Sequence, residues 1–253
     1  MTPITMNDLA ALAIVLVAVV ALMVNLLTQR RRSDLGLKIM PASSAISAFQ
    51  HEAAEKGTRL TFGLGDGFSS HAVSASGFLG LSVWRDSAAR AVFNDQLSQA
   101  VSGSGTLTTI SQMVLRGVYQ GAVAVELFRP EQVLLGGVTD AASVAGLLPE
   151  VNHPANSAVV LIGNFAPLAG LATNLAGRKQ LPIIAMADTL TAQATFFVTT
   201  PFNSLGEDYY GAEVSLSRQT NAFAQLRAQD WLRIAAILAL LVGALLKLTG
   251  VMP

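Results

Sequence analysis

Apolar positions run unbroken near both ends of this chain and fall into short bursts between them. Residues 9–24 are apolar throughout, and Leu26 and Leu27 extend the run past Asn25. A second run covers 234–246 and continues beyond Lys247 to Met252. A bilayer core takes about 20 mostly apolar residues as a helix, and each end supplies that length. The pattern predicts membrane helices over 7–28 and 231–252 and one domain between them, over 33–226. Two buried helices of a soluble core are the competing reading, and the lack of a polar face argues against it.

The middle of the chain alternates helical and strand patterns. Pro41 opens a helix that Ser43 or Ser44 caps, in which Ile46, Phe49 and Ala53 share a face and which Gly57 closes. Residues 59–64 read as a strand that ends in the cluster Gly63, Gly65, Gly67. Further helices are expected over 81–93, 106–119, 140–148 and 166–175. That at 106–119 sets Ile110, Met113, Val114 and Val118 on one side. Further strands are expected over 96–102, 122–128, 132–135, 157–162, 181–186 and 194–199, with a turn at 176–179. The strands are nearly all apolar without alternation, as strands covered on both faces are. The expected fold is therefore α/β, a layered Rossmann-like unit with a mostly parallel sheet, flanked by one membrane helix at each end. Residues 158–175 are apolar enough to suggest a third span. Gly163, Asn164 and Pro167 break them where a strand-to-helix turn belongs.

Charge gives the ends a direction. Residues 1–8 carry no Lys or Arg, whereas Arg30, Arg31 and Arg32 follow the first run. No small-x-small cleavage site precedes them, so the run reads as a retained anchor and not a signal peptide. The positive-inside bias sets the arginines in the cytoplasm. Arg227 and Arg233 at the start of the second run agree, with Trp231 as an interfacial anchor and Lys247 reaching the far interface. The expected location is the bacterial inner membrane, with both termini outside and the domain cytoplasmic. Ala235, Ala239 and Gly243 fall four apart, a small-residue stripe that permits close helix packing, although such residues are common in membrane helices.

Composition narrows the chemistry. The chain is 52% hydrophobic and 13% charged, with a formal net charge of zero, which argues against a nucleic-acid partner. It has no cysteine, so thiolate nucleophiles, cysteine zinc sites and disulfides are excluded. His51, His71 and His153 are scattered without ligand spacing, and no metal or cofactor is expected. The segment Gly63-Leu64-Gly65-Asp66-Gly67 is the one candidate for ligand binding, since glycines after a strand let a backbone approach an anion or nucleotide. It lacks both the dinucleotide fingerprint and the phosphate-loop lysine, and a plain tight turn explains it as well. Asp66, Ser69 and His71 lie close in sequence but lack the Gly-x-Ser-x-Gly elbow of a hydrolase. Asp188 reads as a turn residue after a strand. Ser204-Leu205-Gly206-Glu207 reads as a capping box, which accounts for Glu207 and Asp208 without a catalytic role. Leu205, Tyr209, Ala212 and Leu216 would form the stripe of that helix.

The stretch 205–217, the Gln229-Asp230 step before the final apolar run, Thr191-Ala192-Gln193, and the helix 46–56 leading to Gly63-Leu64-Gly65-Asp66 resemble an uncharacterised bacterial membrane family, a domain of unknown function. The resemblance touches most of the chain between 43 and 246. It departs where members carry a Cys-Asp pair and this chain has Thr199-Thr200-Pro201. It implies an architecture and no activity. With neither nucleophile motif nor cofactor fingerprint, the expected function is a membrane scaffold and not an enzyme. Its partners would be lipid, further copies of itself and, as a further option, other membrane subunits. The alternative is an anion- or nucleotide-binding domain using the Gly63–Gly67 segment.

Overall fold

The computed structural model of the chain describes residues 19–20, 23–24, 41–66, 73–94, 96–211, 230–237 and 240. The chain divides into two compact units, one of Lys38–Ser217 and one of Met1–Leu37 with Arg218–Pro253. In the first, helix α1 (Pro41–Lys56) leads to strand β1 (Arg59–Asp66). There follow α2 (Ala75–Ala91), β2 (Gln99–Ser102), α3 (Gly105–Gly121), β3 (Val133–Leu135) and α4 (Asp140–Asn152). The second half runs β4 (Asn156–Asn164), α5 (Ala169–Arg178), β5 (Ile183–Ala187), α6 (Leu190–Thr199) and β6 (Phe202–Leu205). Residues 207–211 begin a further helix.

All six strands pair in parallel, in the order β3-β2-β1-β4-β5-β6. Parallel strands need a crossover to return the chain to the same edge, and each helix between strands is one. The sheet carries two apolar cores. Leu60, Phe62, Leu64, Val160 and Ile162 face α1, α2 and α3. Val159, Leu161, Ile183 and Ala185 face α4, α5 and α6. An edge-to-face aromatic pair packs in each, Phe62 on Trp84 at 5.2 Å and Phe165 on Phe196 at 5.8 Å. Burial on both faces is why the central strands are continuously apolar. The α/β, Rossmann-like class read from the pattern is thus the observed one, and residues 158–175 split into β4, a turn and α5.

Three of the helices begin at a polar side-chain cap. Ser74 Oγ accepts from Gly77 N–H, Ser104 Oγ from Leu107 N–H, and Thr139 Oγ1 from Ala142 N–H. Gly57, at φ +60°, closes α1: its N–H donates to Ala54 O and that of Thr58 to Ala53 O, a Schellman end.

Several expectations are corrected. Residues 194–199 are helical, not a strand. Their β-branched and aromatic composition favours a strand, but β5 and β6 run parallel, and the crossover that joins them is a helix, the usual form of such a connection. The capping box at 204–207 is absent: Ser204 pairs with Met186 inside β6, and only after Gly206, at φ +62°, does the helix begin. Leu205 therefore belongs to the sheet and not to that helix's stripe, which Tyr209 starts; Ala212 and Leu216 lie outside the described residues. Residues 122–128 turn at Val123 (φ +55°) into a short 3-10 helix, Val125–Leu127, where a strand was expected. Ser43 and Ser44 lie inside α1 and do not cap it, Ser44 Oγ donating to Pro41 O. Helix α2 starts six residues before the expected 81 because Ser74 caps it. Helix α4 continues through Pro149. Helix α5 runs through Arg178, and the turn falls at Gln180, φ +56°. Met113 points to solvent, while Ile110, Val114 and Val118 pack on the core.

Among the described residues no helix is long and apolar enough to cross a membrane. The two apolar end runs lie largely outside the described residues. So do Arg30, Arg31, Arg32, Arg227, Ala239, Gly243 and Lys247. In the terminal unit, residues 230–237 are helical, with Trp231, Arg233, Ile234 and Ala235 exposed.

Candidate functional site

The strand order reverses between β1 and β4. From β1 the chain winds outward to β2 and β3, and from β4 outward to β5 and β6. Helices on either side of this point diverge, so a crevice opens outside the carboxyl ends of the strands. One is present here, about 540 Å³ with its open mouth included, and water-molecule centres can occupy about 40 Å³ of it.

Its floor is β1. Gly63 and Gly65 lie within the strand, where a glycine turn was expected, and neither has a positive φ. Beside them Gly163, at φ +113°, pairs in register with Gly65. A Cβ at 163 would stand 1.9 Å from Gly65 O, and one at 65 would stand 2.3 Å from Asn164 O. These glycines let the two central strands end in close backbone contact. Leu161, Leu147 and the Phe165 ring fill the place a side chain at 63 would take. Gly67, Ser69 and His71 lie outside the described residues, and of Asp66 only its place at the end of β1 is described.

The walls come from α4 and from the end of β4. Asp140 and Ser143 stand on the first turn of α4, with Leu147 one turn on. Asn164 ends β4, and its Oδ1 is buried without a hydrogen-bond partner among the described residues. Burial raises the Asp140 carboxyl above the usual carboxylate range. The described residues lining the crevice include no Lys, Arg or His. Asn164 was visible in the sequence as the break after an apolar strand. What marked it as part of a site was the position of that strand beside β1.

The other candidates scatter. His51 is exposed on α1, and His153 Nδ1 accepts from Ala155 N–H in the turn before β4. Glu207 and Asp208 are exposed in the first turn of the helix that follows β6. The groups that matter there are the adjacent tyrosines. Tyr209 OH donates to Ser76 O at 2.6 Å, and Tyr210 OH donates to Asp188 Oδ2 at 2.9 Å. Asp188 thus anchors a helix instead of merely turning the chain.

No curated protein and no solved structure matches this chain. A family model matches residues 2–252, nearly the whole length, as the resemblance to an uncharacterised family implied. The chain belongs to the family described as Domain of unknown function (DUF6754).

Proposed function

We propose that the protein is a membrane-anchored assembly module, an α/β domain that associates with further copies of itself while two terminal helices hold it to the bilayer. The observation that carries this reading is the outer face of α6. Leu190, Phe197 and Val198 are 81%, 73% and 83% exposed, and Ala194 is exposed between them. Spacings of four, seven and eight residues set all four on one stripe. Helix α5 packs beside α6, and Leu168 at its N-cap and Leu171 within it are also exposed. Exposed large apolar side chains gathered on one helix face are the kind of surface that association covers.

The occupant we assign is a second copy. Neither α6 nor β6 carries a charged residue. A helix lying on a bilayer keeps Lys and Arg along its polar flank, and α6 has none. A twofold axis would set this neutral face against itself without like-charge repulsion. The ends support anchoring. Val19, Val20 and Met23 near one terminus and Ile234, Ile237 and Leu240 near the other are all at least half exposed. Inner-membrane residence with the domain on the cytoplasmic side follows from the arginine flanks.

The test is the mass of the full chain in a mild detergent, by light scattering at micromolar concentration. A defined multiple of the 26.4 kDa chain is expected, and Phe197→Glu returns it to a single copy. A monodisperse single copy of the unaltered chain overturns the proposal.

A further inference from the structure

We propose that the crevice between β1 and β4 binds a small organic ligand through a primary ammonium group, held by Asp140 and Asn164. The argument begins with what the crevice offers. Its lining runs from Gly63 and Gly65 on β1 to the first turns of α4 and the end of β4. The polar side chains at its wall include two acceptors. Asn164 Oδ1 is buried and has no donor among the described residues, and a buried acceptor left in that state is costly. Asp140 is the charged one, and among the described residues no cation pairs with it. Burial raises its carboxyl.

The complementary chemistry is a group with several N–H donors and a positive charge. An ammonium donates three hydrogens, one to the carboxylate as a charge-assisted bond and one to the amide oxygen. A phosphate or carboxylate would meet Asp140 with like charge and no cation among the described lining residues. The volume agrees. Space for water centres of 40 Å³ takes about three water-sized groups, enough for an ammonium and its first carbons. Leu147 and the Phe165 ring then offer an apolar wall for the rest of a short chain.

The experiment uses the full chain in nonionic detergent, with n-butylammonium chloride as the probe and n-butanol, sodium butyrate and inorganic phosphate at matched ionic strength. Isothermal titration is expected to show saturable binding of butylammonium, with butanol and butyrate weaker by about tenfold or more. Asp140→Asn and Asn164→Leu each weaken butylammonium by a similar factor. Asp140→Asn does so with the melting temperature of the free protein little changed, since the Asp140 side chain is only partly buried. Phe197→Glu leaves this binding as it was, so assembly and ligand binding fail separately. Absence of saturable butylammonium binding, butyrate or phosphate binding as tightly, or an Asp140→Asn variant that binds unaltered would each overturn the inference.

Discussion

At the scale of single residues, the centre of the domain depends on positions where nothing larger than hydrogen fits. Gly163 combines a φ of +113° with a Cβ position 1.9 Å from Gly65 O, so a side chain there is both conformationally strained and in collision with backbone. Backbone cannot rotate away as a side-chain tip can. Gly163→Ala is expected to cost at least about 3 kcal/mol of stability in chemical denaturation. Gly105→Ala, whose side chain would meet nothing within 4 Å, should be neutral or gain up to about 1 kcal/mol. Equal stabilities for the two variants would show that the strands do not approach as described. The same geometry bears on Gly65. A valine there would disturb the sheet end itself, so it cannot serve as a clean probe of ligand binding.

At the scale of elements, the helix that starts at 207 is fastened by neighbouring tyrosines whose rings meet edge to face at 5.2 Å. Tyr209 is fully buried and reaches α2; Tyr210 reaches the end of β5. Burial, then the hydrogen bond to Asp188 and its charge, push the Tyr210 hydroxyl up to about 12. A folded-state value raised above the unfolded 10.0 means the contact's stabilisation is complete below pH 10 and is lost as pH rises towards 12. Tyr210→Phe should therefore lower stability by about 1–2 kcal/mol at pH 8. The gap between wild type and variant should narrow across pH 10–12. A gap that stays constant over that range would mean that the hydroxyl does not hold the helix.

For the whole molecule, the proposed anchoring at both ends assigns a side of the membrane to each part, which labelling can test. The chain has no cysteine, so single cysteines can be placed without background. Thr2→Cys should react with an impermeant maleimide added outside intact cells, and Gln120→Cys, at an exposed end of α3, should react only after lysis. The reverse pattern would overturn the orientation read from Arg30–Arg32 and Arg227. This outcome is independent of the proposed assembly and of the proposed ligand.

What the sequence determined by itself was the set of elements whose signals are local. Apolar strand runs, the glycine stop at 57 and the break at 163–164 all act within a few residues, and the α/β alternation followed from them. What only the tertiary structure decided was everything set by neighbours distant in the chain. Residues 194–199 have the composition of a strand and form a helix because two parallel strands must be joined. Ser204 has the spacing of a cap and sits in a strand because Met186 pairs with it. Gly63 and Gly65 resembled a turn and proved to be the floor of a crevice. Its walls, Asp140 and Asn164, come from other elements, about 75 and 100 residues further along the chain. Local propensities amount to fractions of a kcal/mol per residue, whereas sheet pairing and burial on both faces act on whole elements at once. Where the two disagreed, the larger sum set the structure.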